Sequence, residues 1–226
     1  MIDISNYSFK SESVFDSLKQ SDLAMFKKSL KLKKIKKGTI LFHEGAYPKG
    51  VFILKRGKVK IFQRSRNGSE QIVYIYVPGD MFGYRPILSN DRHPASAMAI
   101  EDSGVYFLSP ENFNKILTRS ASFSNFLLRN LSNEFSVLVN RIAAFGQRSV
   151  KERLALSLLM LNEKYRQSPQ ESAEIVLSRT DLAALVGTTI ETVARMVGQL
   201  KQDRIIKTLG RRIVIMDSKS LHKLAG

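Results

Sequence analysis

Ser178–Lys201 reads SRTDLAALVGTTIETVARMVGQLK, and local chemistry alone places two capped helices on it. Ser178 followed three residues later by Asp181 is an N-cap pattern, since a serine hydroxyl accepts from a free amide of the first turn. Leu182, Ala183, Leu185 and Val186 supply one apolar face, and Gly187 stops the helix. Thr188 and Thr189 form the turn. Thr189 is placed to cap the next helix, whose Val193, Val197 and Leu200 recur at i, i+4 and i+7 as a buried stripe. Two short helices joined in this way are a helix-turn-helix. The second turns Thr189, Ile190, Glu191, Thr192 and Arg195 outward near its N-terminus, where a recognition helix meets base edges in a major groove.

The residue types suit that role. Arginine presents two parallel donors that match guanine O6 and N7, and a carboxylate such as Glu191 accepts from a cytosine amine. Glu191 and Arg195 are four residues apart and share a face, so they also read as an exposed ion pair contributing ~0.3–0.5 kcal/mol. The glycine turn and the apolar spacing on both helices favour DNA. Downstream, 205–208 and 212–216 read as two short strands about Leu209-Gly210-Arg211, with Ile213 and Ile215 inward, as in a wing. Arg211 and Arg212 stand at or beside its tip, where phosphate contact and simple solvation are equally good readings.

The 226 residues, 43% hydrophobic, suffice for one large domain or two smaller ones. A formal charge of +16 points to a polyanionic partner, nucleic acid or an acidic membrane surface. The excess is spread along the chain: twenty-two basic against twelve acidic residues in 1–146, fourteen against eight in 147–226. There is no cysteine, which excludes disulfides and cysteine-ligated zinc or iron–sulfur clusters and fits a reducing cytoplasm. No apolar run reaches the ~18–20 residues of a membrane span, and MIDISNYSFK lacks the order of a signal peptide.

From the N-terminus, residues 13–30 show a helical scatter of apolar positions broken near Ser21, where Ser21-Asp22 is placed to start a second short helix. Seven lysines between Lys27 and Lys37 then occur without an acidic residue. They read as a solvated strand face or as a surface touched by flanking DNA bent around the protein. From Gly38 to Leu108 the texture becomes short alternating runs, 39–42, 51–54, 59–62, 71–77, 96–100 and 105–108, with a hairpin signal at Asn67-Gly68. Strands of this spacing predict a small antiparallel barrel or double-sheet roll with an interior able to hold a ligand. Beyond Ser109-Pro110 helical spacing returns, and Phe123, Leu127, Leu131, Phe135, Leu138, Ile142 and Phe145 step by four or three. A stripe so long packs on the roll, on a twin helix, or on both. We read a dimer helix with Leu127, Leu131, Phe135, Leu138 and Ile142 at the interface. Gly146-Gln147-Arg148 loosens it as a hinge, Ser149-x-x-Glu152 is a capping box for a helix to about Tyr165, and 166–174 is a polar loop. The fold class is α+β: a roll at 1–122, a dimerisation helix and hinge at 123–148, and a winged helix-turn-helix at 149–226.

With these parts in this order, the whole chain resembles the cyclic-AMP receptor protein and fumarate-nitrate regulator family of bacterial transcription factors. Glu191-Thr192-Val193-Ala194-Arg195 matches that family's E-T-x-x-R recognition helix, with Gly187 at its turn, and Gly38, Gly45, Gly57, Gly68, Gly79 and Gly83 resemble its double-stranded, jelly-roll-type β-roll. The resemblance implies a cytoplasmic homodimer on double-stranded DNA with TGA and TCA arms, not a membrane protein, using Thr189, Ile190, Glu191, Thr192, Arg195 and Arg212. RNA polymerase is a further partner if it activates. It also implies an effector pocket around Gly83, Tyr84, Arg85 and Ser96. Where nucleotide-binding relatives carry Gly-Glu and Arg-Ser or Arg-Thr, this chain has Gly83-Tyr84 and Ala95-Ser96. Each charge-assisted hydrogen bond lost costs ~1.5–3 kcal/mol, so cyclic AMP is not the expected effector. The iron–sulfur branch needs cysteines absent here, and no cofactor is expected. A ligand-binding module acting on a protein partner is the alternative. An enzyme is disfavoured by scattered histidines, no thiol and no phosphate-binding glycine loop.

Overall fold

In the computed structural model, which describes residues 2–9, 12–166 and 172–226, the polypeptide divides into two units, Lys10–Asn133 and Met1–Phe9 with Glu134–Gly226. The first opens with α1 (Val14–Ser17) and α2 (Gln20–Ser29). Strands β1 (Lys31–Ile35), β2 (Ile40–Phe42), β3 (Val51–Arg56), β4 (Val59–Arg64), β5 (Glu70–Tyr76) and β6 (Met81–Phe82) follow, then α3 (Arg85–Ser89), β7 (Ser96–Ala99), β8 (Ser103–Leu108) and α4 (Pro110–Arg119). The strands form two antiparallel sheets, ordered β1-β8-β3-β6 and β2-β7-β4-β5, the double-sheet roll expected from the alternating runs.

β3 shows how the roll is held. Val51 and Ile53 pack with Val14, Phe26, Phe113 and Phe123 under the helices, whereas Phe52 and Leu54 meet Val59, Tyr76, Phe82 and Val105 between the sheets. A strand with side chains alternating between two buried faces must be apolar throughout, and VFIL is. The β3–β4 hairpin requires Gly57: its φ is +89°, and a Cβ there would collide with Ser103. β6 and α3 are too short to leave a periodic signal and were not expected from the sequence. Nor is α2 capped at Ser21; it begins at Gln20 without a side-chain cap.

α5 (Ala121–Gln147) begins in the first unit and ends in the second. Gly146 stays helical, so the expected loosening comes only after Gln147. Leu127 corrects a second expectation: it is 2% exposed inside the core beneath α4, and its neighbour Leu128, 64% exposed, stands outside. The two lie ~100° apart on a helix, so sequence spacing alone did not say which stripe packs on the roll.

The second unit continues with α6 (Val150–Tyr165), β9 (Ile175–Val176), α7 (Arg179–Val186), α8 (Ile190–Gln202), β10 (Ile206–Leu209), β11 (Arg212–Ile215) and α9 (Ser218–Ala225). The Ser149–Glu152 capping box forms, with the Ser149 amide donating to Glu152 Oε2 at 2.6 Å. Leu154–Leu161 are all buried because α7, α9 and β9 pack against α6, the condition under which a helix is apolar on every side. The chain's first residues join this unit: Ile4 and Phe9 are buried, Asn140 Nδ2 donates to the Asn6 carbonyl at 3.0 Å, and Lys164 Nζ to that of Phe9 at 3.4 Å. Within the polar loop read at 166–174, residues 167–171 lie outside the described residues. Among the described residues no helix is long and apolar enough to cross a membrane.

Candidate nucleic-acid interface

The helix-turn-helix is built as its caps dictate. Ser178 Oγ accepts from the Asp181 amide at 2.9 Å, and Leu182, Ala183, Leu185 and Val186 of α7 are buried. Gly187 ends α7 in the left-handed region at φ +72°, its amide donating to the Ala183 carbonyl at 2.9 Å. Glycine alone adopts this geometry without steric cost. Two residues on, Thr189 Oγ1 accepts from the Thr192 amide at 3.2 Å and starts α8. Val193, Val197 and Leu200 face the core, so Thr189, Ile190, Glu191, Ala194 and Arg195 are left exposed. Thr192, expected to point outward, is half-buried beside the cap.

The ion-pair reading of Glu191 and Arg195 is not realised. The Glu191 carboxylate instead takes hydrogen bonds from its own backbone N–H and from Thr189, which hold it below the ordinary carboxylate value. Among the described residues Arg195 has no acidic partner. A carboxylate that stays ionised and an uncommitted guanidinium thus stand side by side on the first turns of α8, able to meet a donor and two acceptors on base edges.

β10 and β11 pair antiparallel from Ile206↔Ile215 to Leu209↔Arg212 and close through Gly210-Arg211, with Ile213 and Ile215 buried. β9 completes the sheet on the other side of β11. Arg212 Nη1 lies 3.5 Å from Glu174 Oε2, both side chains more than half exposed. Such a pair contributes ~0–1 kcal/mol in water, so a phosphate competes with it readily. Sequence reasoning missed Arg179 at the start of α7. Its Nη1 is buried without a partner, and burial pushes the guanidinium below its ordinary pKa. In the sequence it is one more polar residue of a first turn, and only packing shows it uncompensated.

The effector candidates divide. Gly83, Tyr84 and Arg85 line a cavity of about 50 Å³ with Phe42, Ile61, Tyr76, Pro86, His93, Pro94 and Ala95. Ser96 does not line it: its Oγ accepts from the Glu44 amide at 2.9 Å. The Tyr84 ring is fully buried among the apolar residues beneath α1 and α2. His93 stacks on Phe42 with centroids 3.7 Å apart, its Nε2 is buried without a partner, and burial lowers its pKa. Among the described residues no three His, Cys, Asp or Glu side chains converge as metal ligands.

Residues 32–120 match the family model of the cyclic nucleotide-binding domain, and residues 152–224 that of the Crp-like helix-turn-helix domain. The chain is 28% identical over 214 residues to the fumarate and nitrate reduction regulatory protein of Vibrio cholerae, covering 93% of this chain and 85% of that one. With the Escherichia coli protein of the same name it shares 28% over 197 residues, 86% of this chain and 78% of that one. The solved structure of FixK2 from Bradyrhizobium japonicum has a TM-score of 0.79 at 24% identity, covering 87% of this chain and 98% of that one. A CooA variant from Carboxydothermus hydrogenoformans has a TM-score of 0.76 at 18% identity, covering 98% and 99%. The structures speak for the fold, and the two domain models with the regulatory relatives favour DNA over a protein partner for the α8 face.

Proposed function

Because the chain belongs to the cyclic-AMP receptor protein and fumarate-nitrate regulator family of DNA-binding transcription regulators, we propose that it works in the cytoplasm as a homodimer that reads a palindrome with TGA and TCA arms. In this reading residues 1–122 receive a signal, 123–148 dimerise and 149–226 bind DNA, with RNA polymerase as the further partner where transcription is raised. The observation that carries the base assignment is the uncommitted first turns of α8, where Glu191 and Arg195 are exposed and unpaired with each other. Arg195 takes the guanine and Glu191 the cytosine amine of the same step. Ile190, 43% exposed, has no hydrogen-bonding side chain; with Ala194 it suits a thymine methyl, favouring TTGA over GTGA. Arg179 and Arg212 are assigned to phosphates, where a first helix and a wing meet the backbone.

The dimer is supported by exposure along α5. Leu128, Phe135 and Ile142 are 64%, 67% and 65% exposed at heptad spacing, and Leu138 and Val139, at 42% and 48%, lie beside them. Half-buried Leu131 and Phe145 fall on the same seam. An a/d pattern of this kind is what a second copy of the helix covers. For the effector, Tyr84 and Ala95 stand where cyclic nucleotide-binding relatives carry a charged residue, and the loss of two charge-assisted hydrogen bonds supports a molecule other than cyclic AMP. With no cysteine in the sequence, an iron–sulfur cluster would have no thiolate ligands.

Selection of bound sequences from random DNA tests the reading directly. The expected winner is a TTGA/TCAA palindrome with arm centres about one helical turn, ~34 Å, apart. Recovery of single unpaired arms or of unrelated sequence rejects it.

A further inference from the structure

Arg153, in the first turn of α6, belongs neither to the base-reading face nor to the α5 seam. Its Nη1 donates to the Phe145 carbonyl at 3.2 Å and its Nη2 to the Gly187 carbonyl, also at 3.2 Å. The guanidinium carbon lies 5.6 Å from the Phe145 ring centroid, and Nε is buried without a partner. Phe145 is in the last turn of α5, and Gly187 is the left-handed residue that ends α7.

The last carbonyls of a helix have no amide partner within it and mark the negative end of its dipole. One cation therefore serves two helix C-termini. The geometry is specific to arginine: a planar fork holds two acceptors in a fixed relation, whereas an ammonium is a point charge on a flexible stem. The two acceptors matter for different reasons. Phe145 follows Leu131 and Leu138 on the seam that we assign to the dimer. The Gly187 carbonyl sits two residues before Thr189, the cap that aims α8.

We propose that Arg153 is a positioning residue that couples the dimer helix to the turn of the helix-turn-helix and so sets the separation of the two recognition helices. The inference rests on the α5 dimer proposed above. If α5 defines the two-fold axis, each α8 is located relative to that axis through the tie at Arg153. Loosening the tie leaves the base-reading side chains intact but removes the fixed distance between arms. It therefore affects which arm spacing is bound, not which bases.

The test is a set of operators whose arms are moved apart or together by one and two base pairs, measured with the full-length protein, Arg153→Ala and Arg153→Lys. Each inserted pair rotates one arm by roughly 35° about the duplex. Wild type is expected to prefer one spacing by at least about tenfold. Arg153→Ala should fall to within about threefold across the series, with the arm guanine preference and the dimer mass unchanged. Arg153→Lys, retaining one carbonyl contact, should lie between. Two results overturn the proposal: an unchanged spacing preference in Arg153→Ala, or an equal loss of affinity on every spacing that follows a lowered melting temperature, which marks a purely structural role. A wild-type protein that sediments as a monomer removes the dimer beneath it, and that failure is read before any variant is made.

Discussion

The recognition helix and the roll handle polar groups in opposite ways. On α8, Glu191 and Arg195 are in water and unpaired with each other; in the roll, His93, Asp80 and Lys60 are 3%, 2% and 5% exposed. Lys60 is compensated by Glu70 at 2.6 Å, with Arg64 on the other carboxylate oxygen, because removing one partner of an enclosed pair would leave a costly charge. His93 is compensated by neutrality: its buried Nε2 carries no charge and has no partner. An exposed pair of charges binds a new ligand at little desolvation cost, whereas a closed aromatic interior must first rearrange. The charges on α8 therefore stand ready for a ligand, whereas the roll interior around Phe42, Tyr76 and His93 is filled by rings packed on one another.

The largest expected effect falls on neither region but on the seam proposed to join two copies. Leu138→Glu would bury a carboxylate in the α5 seam, so sedimentation should show monomers and palindrome affinity should fall by orders of magnitude; an unchanged dimer mass rejects the seam. Next comes α8. Arg195→Ala should cost ~1–3 kcal/mol per half-site and relax the preference for the arm guanine. Competition binding with each base changed in turn measures this, and a preserved preference for that guanine would show the wrong face was assigned.

Effects in the roll should be smaller. Burial holds the His93 imidazole below its ordinary value of 6.5, so the unfolded chain takes up a proton before the native one does. His93 thus leaves stability untouched above about pH 6.5 and lowers it as pH falls below that value, until the native imidazole also protonates. Thermal unfolding of His93→Gln should show a flatter acid limb than wild type; parallel pH curves would mean that His93 titrates normally. The smallest expected signal is none: calorimetric titration with cyclic AMP should give no saturable heat at micromolar concentration. Tight binding coupled to DNA affinity would show that Tyr84 and Ala95 do not mark a different pocket.

What the sequence determined by itself is local. Ser149, Ser178 and Thr189 cap helices where they were read, because a cap is a hydrogen bond across three residues and needs no tertiary partner. Gly187 ends α7 for the same reason, and the runs of alternating residues became the two sheets because period two fixes which side chains share a face. Tertiary structure decided everything that depends on a neighbour distant in the chain. Leu127 and Leu128 are equivalent leucines to any periodicity argument, and only packing beneath α4 buries one and exposes the other. Ser96, read beside Gly83, Tyr84 and Arg85, is instead set against the Glu44 amide, fifty-two residues away, and does not line the cavity they share. Arg153 and Arg179 are ordinary polar residues of helix first turns in the sequence. Two carbonyls from separate helices give the first its role, and the absence of any partner on a buried nitrogen marks the second. Helical and strand periods repeat within a segment and carry no record of which other segment it will meet.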